Sequence, residues 1–225
     1  MRGLTIRATV GTPVLAATSD GRVHLDSVLA FAANYPNAHQ LPALRERVVC
    51  PEIPGLLCLW RSSQGLPLWA CSDLAPAGLW TQGREYAHRR YPSHRADRAR
   101  KVSANTAAGQ YKEARKQLLT TSATHWQAQC IGDVDAIRSL LAGITHIGSR
   151  SSIYGRVLRW EIEPDDAVTA QTILARRPVP VAAMELLLPD VQPTRINPQC
   201  PWTPPYWYAP WNLPCMEPET CSSPL

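Results

Sequence analysis

Alternate positions of the segment LTIRATV are apolar, so that Leu4, Ile6, Ala8 and Val10 share one face, the period of a half-buried strand. Gly11 and Pro13 interrupt it. In HLDSVLAFAANY the period lengthens: Leu25, Val28, Leu29 and Ala32 recur at helical spacing, Asp26 stands in the first turn, and Pro36 ends the segment. The apolar text from Cys50 to Trp80 predicts two short strands, Leu56 to Trp60 and Pro67 to Ser72, joined by the turn RSSQG. THWQAQCIG alternates again. DVDAIRSLLAGI predicts a helix with Asp133 as N-cap and with Val134, Ile137, Leu140 and Leu141 inward. RVLRWEIE sets Leu158, Trp160 and Ile162 against Val157, Arg159, Glu161 and Glu163. This order of elements gives an α+β class, a ferredoxin-like β-α-β-β-α-β unit of the kind found in RNA-recognition folds.

Charge changes the picture in one place. Between Arg84 and Lys116 stand ten Lys/Arg against three Asp/Glu, so this segment carries +7 of the net +5 and the remainder is −2. Arg84, Arg89, Arg90, Arg95, Arg98, Arg100, Lys101, Lys112, Arg115 and Lys116 are interleaved with Tyr86, His88, Tyr91, His94 and Tyr111. Cations track a phosphate backbone and rings stack on unpaired bases, which makes the block a candidate for RNA binding. It lacks a core stripe, and an extended insertion over about residues 82–120 is expected, either a long hairpin or an arm that orders on binding.

A second candidate is HIGSRSSIYGRVLRWEIEP, in which Gly148 and Gly155 bracket Ser149, Arg150, Ser151 and Ser152, with Arg156 directly after. The spacing matches neither GxGxxG nor GxxxxGK[ST], and the loop lies between a helix and a strand, so nucleotide-fold readings fail. Glycines there permit positive φ and close approach of a ligand to the backbone, serine hydroxyls donate, and arginines fork onto phosphate. His24, opening the first helix, is a third candidate contact for RNA. It is also, with His88, Tyr91 and Lys101, a candidate general base or cation for metal-independent RNA cleavage.

The rest narrows the class. No apolar run is long enough for a membrane span, and the N-terminal segment reads as a strand and not an export signal, so a cytoplasmic protein without membrane partners is expected. Seven cysteines, an odd number, argue against a disulfide framework. Cys50, Cys58, Cys71 and Cys130 read as buried thiols, while Cys200, Cys215 and Cys221 lack the spacing of a zinc knuckle, so no metal or cofactor is expected. Residues 189–225 are dense in proline and aromatics, too dense in proline for regular helix or a central strand. Trp202 to Trp211 carry enough aromatic area to require a surface, either this domain's or a partner's.

GRVHLDSVLAFAA after an N-terminal strand resembles the HLD-x-LLA helix of RAMP-type CRISPR proteins, and HIGSRSSIYGRVLRWEIEP is similar to the glycine-rich loop and strand of the same superfamily. With the length and the Pro/Trp-rich tail, the chain resembles the Cas-five-class subunit of type IV CRISPR effector complexes over residues 1–165. The resemblance implies a ferredoxin-like domain over 1–165 with the basic insertion as a thumb, and a C-terminal extension over 166–225. It implies a non-catalytic subunit that caps the 5′ handle of CRISPR RNA, with Gly148, Ser149, Arg150, Ser151, Ser152, Gly155 and Arg156 as the cradle. The implied partners are a Cas-seven-class backbone subunit, the large subunit, and target DNA near its protospacer-adjacent motif. Ser149 and Ser151 stand where the family commonly has lysine or arginine, which shifts the expected positive charge onto the neighbouring block.

Overall fold

The N-terminal alternation forms β1 (Arg2–Val10), with Leu4, Ile6 and Ala8 fully buried. β2 (Val14–Leu15) and β3 (Val23–His24) follow, then α1 (Leu25–Asn34), β4 (Cys58–Arg61) and β5 (Pro67–Trp69). The two longest strands, β6 (Asp73–Arg89) and β7 (Ala114–Gly132), precede α2 (Val134–Ala142) and β8 (Val157–Pro164). The C-terminal part adds α3 (Ala170–Leu174), β9 (Val179–Pro180), α4 (Val181–Leu187), β10 (Ile196–Cys200) and β11 (Leu213–Met216). This computed structural model describes residues 1–15, 23–34, 50–89, 114–149, 153–191, 195–204, 206 and 209–217, and only the backbone of 87–89 and 114–116.

The fold is α+β, and the pairings described here are antiparallel. The principal sheet runs in the order β3-β6-β7-β1-β8, with β2 also on β7. β7 lies between β1 and β6 and is antiparallel to both, so β1 and β6 are mutually parallel with α1 in the chain between them. β7 and β8 stand in the same relation across β1, with α2 between them. Leu25 and Leu29 of α1 and Ile137 and Leu141 of α2 join Leu4, Ile6, Ala8, Trp126, Ala128 and Cys130 in one core on a single face of the sheet. Asp133 caps α2 as its sequence requires, accepting from the N–H of Ala136 at 2.8 Å and of Asp135 at 3.1 Å. Among the described residues no helix is long and apolar enough to cross a membrane.

Two strand patterns differ from the sequence reading. In β8 the pairs are Ala8↔Trp160, Thr9↔Arg159 and then Val10↔Val157, so Leu158 is an extra residue. This bulge reverses the inward alternation: Val157 packs on the core and Leu158 is 60% exposed. At the C-terminus a proline does enter a central strand, because β11, which contains Pro214, lies between β10 and β9. The ladder tolerates it because Pro198 and Pro214 both fall within the register shift between Asn197 and Cys200, where regular pairing is interrupted.

The C-terminal segment builds a second core with the β4–β5 hairpin. Leu66 and Leu68 pack with Leu174, Val179, Met184, Trp202 and Cys215, and Trp202 is fully buried 5.6 Å from Trp60. Tying the two cores together is Arg177, 2% exposed. Its Nη1 donates to the carbonyls of Trp69 (2.7 Å) and Cys71 (3.0 Å), and its Nη2 donates to the carbonyl of Trp202 (2.6 Å) and to Asp26 Oδ2 (3.2 Å). Asp26, in the first turn of α1 as the sequence predicts, is 1% exposed and also accepts from Tyr206 Oη at 2.8 Å. Removing one partner of a buried ion pair strands the other charge, at a cost of about 3–5 kcal/mol. Arg177→Met is therefore expected to lower the unfolding free energy by about that amount in urea titration, and a loss under about 1 kcal/mol would show that Asp26 is solvated without it.

Candidate nucleic-acid interface

The two described ends of the basic segment, Arg84–Arg89 and Ala114–Lys116, lie in β6 and β7. Register runs from Ala75↔Gln127 to Arg89↔Ala114, interrupted between Ala77 and Trp80. There Gly78, at φ +77°, adds one residue to β6 and turns Leu79 out to 97% exposure. Past this bulge the hairpin continues as an arm of about 30 Å from Trp80 to Arg89. On its outer side Arg84 stands opposite Leu119 and Tyr86 opposite Gln117, all four exposed. The other side pairs Gly83 with buried Thr120 and Glu85 with buried Leu118. His88 and Arg89 take their register places opposite Arg115 and Ala114. Arg90, Tyr91, Arg95, Arg98, Arg100, Lys101, Tyr111 and Lys112 lie outside the described residues.

The glycine loop is brought to this arm. Ile147 donates its N–H to Gly155 O (2.9 Å), closing the loop's stem. Ser149 N–H donates to Leu15 O (2.6 Å), Gly155 N–H to Pro13 O (2.8 Å) and Arg156 N–H to Thr12 Oγ1 (2.9 Å). β2 thus carries the loop on one side while pairing with Thr120 and Thr121 of β7 on the other. Tyr154 completes the junction, donating its hydroxyl to Glu85 Oε2 on the arm. Both glycines are left-handed, Gly148 at φ +80° and Gly155 at φ +67°. The close approach they permit is taken up by the chain itself: a Cβ on Gly148 would lie 2.6 Å from Leu15 O, and one on Gly155 2.0 Å from Ile147 O. Arg156 is exposed and Ser149 half-buried; Arg150, Ser151 and Ser152 lie outside the described residues.

His24 is elsewhere. It pairs with Asp73, the first residue of β6, and donates from Nδ1 to Asp73 Oδ1 at 2.8 Å, while its ring stacks on Tyr206 at 3.8 Å. His88 is the penultimate residue of the same strand, roughly 50 Å along it. Burial lowers the His24 pKa, but the hydrogen bond to Asp73 and the charges of Asp73 and Asp26 outweigh it, leaving the value raised. The Arg177–Asp26–Tyr206–His24–Asp73 cluster was not legible in the sequence, because its members are far apart along the chain, Asp26 and Tyr206 by 180 residues. Among the described residues no three His, Cys, Asp or Glu side chains gather as a metal site. Burial pushes the thiols of Cys50 and Cys130 up to about 11 and about 12.

The family described as CRISPR type IV associated protein Csf3 matches residues 2–217, and the chain belongs to that family. No curated protein matches it. The match runs through the C-terminal segment as well as the principal sheet.

Two outcomes are expected from this geometry. Gly155→Ala adds a backbone clash to the left-handed strain of about 1–2 kcal/mol, whereas Gly65→Ala, at φ +78° with nothing within 4 Å, meets the strain alone. Denaturant titration should rank Gly155→Ala clearly below Gly65→Ala, and equal losses would show that the loop shifts freely. Because the folded pKa of His24 is raised, its ionic stabilisation is complete below the unfolded value of about 6.5 and is lost as pH rises through the folded one. The stability gap between the wild type and His24→Gln should accordingly be larger at about pH 5.5 than at about pH 9.

Proposed function

We propose that the chain binds the 5′ handle of CRISPR RNA and caps one end of a type IV ribonucleoprotein without cutting the RNA. In this reading the four long strands, ordered β6-β7-β1-β8 with a helix after the first and third in the chain, are a ferredoxin-like core, and the arm is its thumb. The observation that carries the proposal is the junction of loop and arm. Two segments singled out separately for phosphate-binding chemistry are tied into one surface through Ser149–Leu15, the pairing of Leu15 with Thr120, and Tyr154–Glu85. Tyr154 occupies the acid that faces the loop, while Arg84, Tyr86 and Arg156 remain on exposed faces. A cation with an aromatic ring on an extended arm suits single-stranded RNA, whose bases are free to stack. Assembly then places the capped end against a Cas-seven-class backbone subunit and the large subunit, near the protospacer-adjacent motif of target DNA.

Cleavage by His24 together with His88 or Lys101 is disfavoured in this reading, since His24 and His88 sit at opposite ends of β6 and His24 is held between Asp73 and Tyr206. The test is incubation of the purified chain with labelled repeat RNA and mature guide RNA in EDTA at two salt concentrations. Handle-dependent binding with no product is expected. Arg84→Ala with Arg156→Ala should weaken it about tenfold and reduce the log–log salt slope by about 1–2. Unchanged affinity would remove this surface from the interface, and a discrete product lost in His88→Ala would make the chain an endoribonuclease.

A further inference from the structure

The stem of the glycine loop sets His146 beside Arg156. Ile147 donates its N–H to Gly155 O, Val157 donates its N–H to Thr145 O, and His146 and Arg156 face each other as the antiparallel bridge between these two bonds. Bonds on either side of a facing pair, with none inside it, mark the non-hydrogen-bonded position of a ladder. There the two Cβ atoms lie about 4.5–5.5 Å apart on one face. Ile147 and Val157 pack on the core, so by alternation His146 and Arg156 share the opposite, outer face.

Both side chains keep donors available. Arg156 is exposed and makes no ion pair among the described residues, whereas Arg159 of β8 is held by Glu161 at 3.2 Å. The half-buried His146 ring has Nδ1 at 3.0 Å from Thr145 Oγ1, and Nε2 has no partner among the described residues. With the threonine hydroxyl donating to Nδ1, the proton of the neutral ring sits on Nε2, and the charged ring carries one there as well, so Nε2 is a donor in both forms. The backbone differs: the N–H groups of Ile147, Ser149, Gly155, Arg156 and Val157 all donate within the chain. These residues therefore offer an anion no nest of main-chain amides.

We propose that His146 and Arg156 together hold one phosphate of the bound strand at the stem of the glycine loop, through the imidazole Nε2–H and the guanidinium fork. The inference rests on the RNA reading and names one contact within it. An arginine fork beside a single-donor ring matches the several oxygens of one phosphate. A phosphate contact positions the strand and carries no sequence information, so this pair fixes where the RNA backbone passes the loop. The two glycines then serve the turn and its packing on Leu15 and Ile147, while the stem's side chains carry the ligand.

A double-mutant cycle on labelled guide RNA tests it, joined to a scan in which one handle phosphate at a time is replaced by an uncharged methylphosphonate. His146→Ala should weaken binding about tenfold in the wild type. In the Arg156→Ala background the same change should cost less than about threefold, because both groups serve one phosphate. His146→Gln, which keeps an amide donor, should lose less than His146→Ala. One methylphosphonate position should weaken the wild type and make both His146→Ala and Arg156→Ala silent. Melting temperatures are read alongside, and where His146→Ala does not fold, His146→Gln and Arg156→Ala must point to the same phosphate. A wild type without handle-dependent binding would overturn the RNA reading and this inference with it. Binding that Arg84→Ala with Arg156→Ala weakens but His146→Ala leaves unchanged would overturn the inference alone, as would additive losses or a scan in which no single phosphate silences both substitutions.

Discussion

One guanidinium holds the architecture together. Arg177 reaches from the C-terminal segment into the gap between α1, the end of β5 and the Trp202 backbone, and bonds to all three. A charge 2% exposed is tolerable only when it is paired, and Asp26 with three carbonyls bonds both terminal nitrogens while Nε is left without a hydrogen-bond partner among the described residues. Neither the tail nor α1 can therefore be treated as an independent piece. The extent of the family match, through residue 217, agrees with a segment that the fold depends on.

From that anchor, β6 acts as the axis of the molecule. At its root Asp73 holds His24, whose ring lies on Tyr206, the residue that also bonds Asp26. At its far end it becomes one strand of the arm. The Gly78 bulge separates these two roles, because an added left-handed residue re-aims the strand without breaking its pairing with β7. A rigid root with a projecting arm is the arrangement expected of a part that must position a ligand relative to a scaffold.

Legibility in the sequence followed interaction range. β1, α1, α2 with its Asp133 cap, the β4–β5 hairpin and the strand character of 157–164 are local patterns of period two or 3.6, and they stood in the text. The exposure of Leu158 did not, because a bulge is specified by the partner strand and reverses alternation beyond it. Nor did the central position of Pro214, which depends on a gap in the β10–β11 register. Of the interface, the cationic composition and the two glycines were legible. The tie between them was not: Tyr154 and Glu85 are 69 residues apart, and neither belongs to a pattern. The glycines carried a second meaning that sequence could not separate from ligand approach, since the backbone they accommodate is the chain's own.

The bulge at Thr9/Val10 has consequences on both sides of β1. It ends the β1–β8 ladder early, so that Gly11 donates to Arg156 O and the following residues, Thr12 to Leu15, turn to carry the glycine loop. It also expels Leu158 toward a cleft between α2 and β8, where the leucine packs over Gly11 at a distance of 3.2 Å from the position a Cβ would take. A side chain at position 11 would have to displace Leu158, and Leu158 cannot move far without disturbing Arg156 and Val157 beside it. The glycine loop and the start of β8 therefore share one hinge of backbone.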